Sequence, residues 1–313
     1  MNDVGPAPLR LFSLFLCASL NHAITRKIHA MTNTLENSSA GGSSLTEILS
    51  AAVTIARGAG AILREGIAAI EANRGTTMQF KTTEIDPVTE YDVRSEKYIV
   101  GELNQLFPEH RIVGEEGGAY EVVKNRTSGP VYQWHIDPLD GTVNFSHGFH
   151  IFCVSMGLLI DGVPAVGVVY SPIIDEMFAA AYGHGATRNG VPIRVSPIAT
   201  LKRAMLITGF PYDSHTSDSN VPEFLAFQRT AQATRRIGSA ALDMCYVAAG
   251  QMDGYWESKI KPHDIAAGIV IIREAGGTVT DYDGADTMLA SGKIVSSNGL
   301  IHQDMLDVMK RAH

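Results

Sequence analysis

Cysteine is scarce in this 313-residue chain: Cys17, Cys153 and Cys245 are far apart and odd in number. That pattern excludes a disulfide framework and a cysteine-based zinc cluster. A reducing compartment is the simpler setting, so the cytoplasm is the expected location. Proline is also sparse, at 13, while 45% of residues are hydrophobic and 19% charged. Such a chain can bury a large core, which excludes a disordered, collagenous or coiled-coil protein. Lys/Arg clusters are missing as well. With 25 basic against 33 acidic residues the net charge is −8, so the chain cannot neutralise a run of phosphates and no nucleic-acid partner is expected. The apolar run at 11–20, LFSLFLCASL, has ten residues, about half of what spans a bilayer; stable membrane anchoring is not expected. No internal repeat or low-complexity tract is visible.

The first thirty residues carry two readings. Arg10, the apolar run and the small residues after it fit a signal peptide, which leaves export open. Alternatively Met31 is the true start. Residues 1–43 read as an N-terminal extension, disordered or signal-like, and 44–313 as one unit with subdomains of about 44–197 and 198–313. Sequons at Asn37, Asn125 and Asn144 matter only in a secreted chain.

Periodicity predicts a helix from a capping box at Ser44–Glu47 to about residue 72. A second helix is expected to start after Asp92 and end before Pro108, with Ile99, Leu103, Leu106 and Phe107 inward. Strands follow at 111–114 and 132–137, then a meander over 151–195 with turns at Asp161-Gly162, Gly183 and Asn189-Gly190. The C-terminal part alternates: strands near 204–208, 253–257, 278–281 and 293–296, and helices near 222–234, 239–249, 262–275 and 302–311. Blocks of helices and strands around one long meander indicate layered α/β sheets.

The segment Trp134-His-Ile-Asp137-Pro-Leu-Asp140-Gly-Thr142 carries the most chemistry. A strand delivers Asp137 to its end, Pro138 and Gly141 force a turn, and two carboxylates three residues apart can share a cation or take one each. Backbone N–H groups of Gly141 and Thr142 suit a phosphate where a helix begins. Alone, this could be a turn held by Asx hydrogen bonds. Gly114-Glu115-Glu116-Gly117 could be a solvated loop, Asp264 a dipole partner at a helix start, and Asp92 an N-cap. Their joint occurrence is what resists the bland readings. The pair His147 and His150 lies in a glycine-containing loop without other soft ligands, which argues against zinc.

With these segments in view, the chain resembles the inositol monophosphatase family of Mg²⁺-dependent, lithium-sensitive phosphatases. The resemblance rests on Lys81 to Asp92, Gly114-Glu115-Glu116, the Asp137 to Thr142 block and Pro262-His263-Asp264 through Gly268, and covers about residue 45 to the C-terminus. It implies a five-layer α-β-α-β-α sandwich, as in inositol monophosphatases and fructose-1,6-bisphosphatases, usually a homodimer. It implies two to three Mg²⁺ ions held by Glu115, Asp137, the Leu139 carbonyl, Asp140 and Asp264. Thr142, supported by Asp92, would orient the attacking water with Glu115, and Lys81 matches a basic residue near the acidic site. The reaction implied is hydrolysis of a phosphate monoester by metal-activated water.

For the substrate side, the resemblance points to Asp140, Gly141, Thr142, Gly238, Ser239, Ala240, Glu257 and Asp264. A carboxylate at Glu257 suits a polyol, because each oxygen can accept from a hydroxyl, and myo-inositol monophosphate is the expected ester. A broader sugar-phosphate phosphatase, acting on fructose 1,6-bisphosphate or histidinol phosphate, is the alternative. A protein-binding role is another, since some bacterial relatives associate with transcription machinery. His263 departs from the family, where many relatives carry Trp.

Overall fold

The computed structural model describes residues 43–73, 79–80, 87–122, 128–213 and 216–312. Lys81, the apolar run at 11–20 and the sequons at Asn37 and Asn125 lie outside them. By their contacts, the described residues from Leu45 onward form one compact unit.

Helix α1 (Leu45–Asn73) buries a stripe of Ile48, Ala52, Ile55, Ala59 and Leu63, the face its periodicity predicts. A short antiparallel pair, β1 (Gln79–Phe80) with β2 (Pro87–Val88), precedes helix α2 (Glu90–Leu106). This helix starts earlier than expected. Thr89 is its N-cap, accepting from the Tyr91 amide, and Asp92 returns the bond to the Thr89 backbone at 2.8 Å. Asp92 therefore sits inside the first turn and completes a capping box. Leu106, expected inward, is 50% exposed, whereas Ile99, Leu103 and Phe107 are buried.

The larger sheet contains β3 (Arg111–Gly114), β4 (Ala119–Tyr120), β5 (Tyr132–Asp140), β6 (Cys153–Ile160), β7 (Val163–Ser171), β8 (Glu176–Ala181), β9 (Ala186–Arg188) and β10 (Val191–Pro192). Its order is β10-β9-β8-β7-β6-β5-β3-β4. Only the β3–β5 pairing is parallel. The turns at Asp161-Gly162 and Asn189-Gly190 have both residues at positive φ, the conformation two-residue hairpins select. A short helix, α3 (Thr142–Ser146), links β5 to β6.

The smaller sheet, in the order β12-β11-β13-β15-β14, comprises β11 (Met205–Thr208), β12 (Ala233–Arg235), β13 (Gly254–Ser258), β14 (Thr278–Thr280) and β15 (Lys293–Ser297). Its helices are α4 (Val221–Thr230), α5 (Ala240–Ala248), α6 (Pro262–Glu274), α7 (Met288–Ser291) and α8 (His302–Ala312). The helix expected over 222–234 thus ends at Thr230. Residues 233–235 instead pair with Met205–Ile207 as a parallel edge strand.

The layers follow from these contacts. Helices α1 and α2 cover one face of the larger sheet, α5 and α6 fill the space between the sheets, and α4 and α8 cover the far face of the smaller sheet. This is the five-layer α-β-α-β-α sandwich. Although α1 is long and apolar enough to cross a bilayer, its stripe packs on β7. The middle layer is tight because Gly157 and Gly167 face each other across β6 and β7. A Cβ at 157 would lie 2.5 Å from the Ala266 Cβ, and one at 167 would run into the Ala267 carbonyl. Two glycines therefore let α6 lie against the sheet, with Asp264 on its first turn.

Candidate active site

Strands β3 and β5 run parallel with Gly114 opposite Ile136, so Glu115 and Asp137 emerge side by side at their carboxyl ends. Such ends of parallel strands are where open α/β sheets bind ligands. Strand β5 does not stop at Asp137 as expected; it continues to Asp140 through a bulge. Asp137 pairs with Ser155 and Asp140 with Cys153, so β5 carries one extra residue over that stretch. A bulge re-aims side chains, and Pro138, lacking an N–H, fits where the ladder is broken. The Asp137 carboxylate accepts the Leu139 amide at 2.9 Å, and the Pro138 carbonyl accepts from the Ser95 hydroxyl at 3.0 Å. Gly141 follows at φ 96°, a left-handed conformation glycine adopts without strain.

Thr142 opens α3 and is buried. Its hydroxyl lies 3.2 Å from Asp92 Oδ1 and 3.0 Å from the Leu139 carbonyl, while Asp92 Oδ2 accepts from the Thr89 amide and hydroxyl. Asp92 thus caps a helix and supports Thr142 with its other oxygen. Asp140 reaches across to α5: Oδ2 accepts from the Ser239 hydroxyl and the Ala241 amide, both at 2.7 Å, and Oδ1 from the Ala240 amide at 3.2 Å. Asp264 Oδ2 accepts the Lys261 amide at 2.8 Å. Asn144 joins the two halves of the site by donating to the carbonyls of Ile151 and Ile237, each at 2.7 Å.

Glu115, Asp137, Leu139, Asp140, Gly141, Thr142, Gly238, Ser239, Ala240, Glu257 and Asp264 line a single cleft of about 410 Å³. Asp92 stands behind Thr142, and Lys81 lies outside the described residues. The histidine pair is not part of the cleft lining, and His150 bonds Glu71 at 3.1 Å.

The electrostatics are those of charges held together against repulsion. Burial, then Glu115, Asp140 and Asp264, push Asp137 well above the usual carboxylate range. Asp140 rises to about 6 through burial and Asp264, opposed by its bonds to Ser239, Ala241 and Ala240. Asp264 rises to about 7 through burial and Glu115, opposed by the Lys261 backbone. Glu257 is pushed to about 8 by burial, despite the Tyr255 hydroxyl donating to it at 2.7 Å. Among the described residues, the sole ion-pair partner of Asp137, Asp140 or Asp264 is His263, at 3.6 Å from Asp264.

This donor set fits a hard divalent cation: it is all oxygen, with Asp137 and Asp140 buried and Glu115 and Asp264 half-buried. Among the described residues no three His, Cys, Asp or Glu side chains close into a ready cage.

Residues 44–312 match the inositol monophosphatase family. The chain belongs to that family. Inositol-1-monophosphatase of Synechocystis sp. is 48% identical over 221 residues, covering 70% of this chain and 75% of that protein. Nus factor SuhB of Pasteurella multocida is 39% identical over 266 residues, 84% and 96% of the two chains. The solved inositol monophosphatase of Anabaena (Nostoc) sp. is 41% identical with a TM-score of 0.75, covering 86% of this chain and 97% of that one. The chain is accordingly an enzyme, a phosphatase of a metal-dependent inositol monophosphatase family.

Sequence reasoning missed Asp243. It lies on α5, is 1% exposed, and neither carboxylate oxygen has a hydrogen-bond partner. Burial, Glu257 and Asp140 raise it well above its ordinary value. The available signal was an acid inside the apolar run Ala240-Ala241-Leu242-Asp243-Met244-Cys245.

Proposed function

We propose that this inositol monophosphatase-family enzyme is a Mg²⁺-dependent phosphomonoesterase that hydrolyses myo-inositol monophosphate to inositol and phosphate. The observation that supports it most is the gathering of Glu115, Asp137, Asp140 and Asp264 around one cleft. With the Leu139 carbonyl, these residues would hold two to three ions. Bound there, such ions would supply neutralisation of phosphoryl charge and a water made nucleophilic near neutral pH.

The chain does the positioning. The Thr142 hydroxyl has one hydrogen, engaged by Asp92 or the Leu139 carbonyl, so Thr142 meets a water as acceptor. Glu115 on the adjacent strand end is the second group that orients that water. Amides of Gly141 and Thr142 hold phosphate oxygens at the start of α3. Gly238, Ser239 and Ala240 line the ring side. Glu257, with its carboxyl pushed to about 8, can either accept from or donate to a ring hydroxyl at neutral pH. The protein acts as a cytoplasmic homodimer with residues 44–313 as its catalytic part.

The test is phosphate release with Mg²⁺, with and without lithium, from myo-inositol 1-phosphate, histidinol phosphate and fructose 1,6-bisphosphate. The expected result is a lithium-sensitive preference in kcat/KM for the inositol ester; equal values would replace inositol specificity by broad sugar-phosphate activity. Asp137→Asn should abolish turnover, and full activity at saturating Mg²⁺ would refute the metal site. Relatives named Nus factor SuhB favour a second reading, an added protein-binding role. A pull-down with Asp137→Asn that retains partners without activity would support it.

A further inference from the structure

Glu96 is a fully buried carboxylate, 1% exposed, that no step above uses. It sits on α2 one turn after Asp92, so the two acids share a helix face. Its two oxygens grip the turn after β3. Oε2 accepts the Glu116 amide at 3.0 Å, and Oε1 accepts the Gly117 amide at 2.6 Å and the Tyr120 hydroxyl at 2.5 Å. The carboxylate fills the space beside Gly114, where a Cβ would lie 2.5 Å from its Oε2. Glu115 lies between Gly114 and the two gripped amides.

We infer that Glu96 is a positioning residue for metal binding: by fixing the Glu116 and Gly117 amides it sets the direction in which Glu115 enters the cleft beside Asp137. The inference rests on the reading of Glu115 as a metal-binding group. One helix then orients both sides of the water site, with Asp92 holding Thr142 and Glu96 holding the Glu115 turn. A loop between two strands has many conformations of similar energy, and its acid would lose affinity in ordering them at each binding event. Two backbone bonds and a phenol on one buried carboxylate remove that freedom before the ion arrives. Groups that orient metal ligands in this way commonly change metal affinity about 10–100-fold when altered.

The experiment is calorimetric titration of Mg²⁺ alone into the full chain, with thermal melting of the same samples. Glu96→Gln keeps the volume but turns an amide N–H toward one of the gripped amides. It is expected to raise the Mg²⁺ dissociation constant about 10–100-fold. In turnover assays it should lower kcat at limiting Mg²⁺, with recovery as Mg²⁺ is raised and KM for the ester little changed. A purely structural role would lower the melting temperature and leave the Mg²⁺ constant of the folded protein unchanged; that result overturns the inference. If Glu96→Gln does not fold, Tyr120→Phe carries the test. Losing one hydrogen bond to Glu96 should then weaken Mg²⁺ binding roughly fivefold, and an unchanged constant again overturns it. Glu115→Gln separates the two levels. If it binds Mg²⁺ like the parent, the reading of Glu115 fails; if it loses Mg²⁺ while Glu96→Gln does not, only the role of Glu96 fails.

Discussion

The contact between α6 and the larger sheet links packing to chemistry, and Gly157→Ala tests that link. The new methyl would lie 2.5 Å from the Ala266 Cβ, 2.7 Å from the Ala267 nitrogen and 2.8 Å from the Ala266 carbonyl carbon. Ordinary contacts begin near 3.4 Å, so helix and sheet must separate by about 1 Å. Two of the three obstructing atoms are backbone, so no side-chain rotation relieves the clash. Overpacking of this kind costs about 1–3 kcal/mol, a drop of roughly 2–4 °C in Tm for each kcal/mol in a domain this large. The displaced helix carries Asp264 two residues before Ala266, whereas Asp137 and Asp140 stay on β5. A shift of about 1 Å in a catalytic constellation can lower the rate on the order of 100-fold. Thermal melting and phosphate release at saturating Mg²⁺ measure the two effects on one sample. A variant that melts lower but turns over like the parent would show that the spacing between α6 and β5 does not set the rate. A variant unchanged in both would refute the packing argument itself.

The remaining predictions concern buried ionisable groups. His302 bonds Ser297 at 3.0 Å and Thr280 at 2.9 Å, and burial lowers it from 6.5 to about 4. Because the unfolded chain takes the proton first, the stability His302 contributes is complete above pH 6.5 and is lost as pH falls toward 4. The parent should therefore lose up to roughly 3 kcal/mol more than His302→Gln between pH 7 and pH 4 in denaturant titrations; parallel curves would refute this. Asp243 has the opposite sign, since its carboxyl is raised by burial and by Glu257 and Asp140. Its destabilising effect sets in above the ordinary carboxylate range and grows with pH. Asp243→Asn should thus gain Tm over the parent as pH rises from 5 to 8, and a constant difference across that range would contradict an unpaired buried carboxylate.

Much of the fold was legible from local patterns. The stripe from Ile48 to Leu63 needs only 3.6-residue spacing to declare α1, and Asp161-Gly162 and Asn189-Gly190 announce their hairpins because each of those residues tolerates positive φ. The candidate site was legible because Glu115, Asp137 and Asp140 are acids beside glycine or proline, and Asp264 lies in the first turn of a helix that opens at Pro262. Where local reasoning failed, a distant partner decided. Residues 233–235 form a strand only because Met205–Ile207 offers an edge. Leu106 has an inward-looking spacing and is nonetheless half exposed.

The sequence by itself thus determined the helical and strand periods, the turn chemistry and the inventory of acids, since these depend on residues a few positions apart. Only the tertiary structure decided that Asp140 would rest on the amides at the start of α5, about 100 residues away. It likewise decided that Glu96 would grip the turn beside Glu115 and that Asp243 would be buried without a partner. Each of these depends on how layers meet, and layer contacts are fixed by the summed packing of many side chains, which no short window of sequence contains.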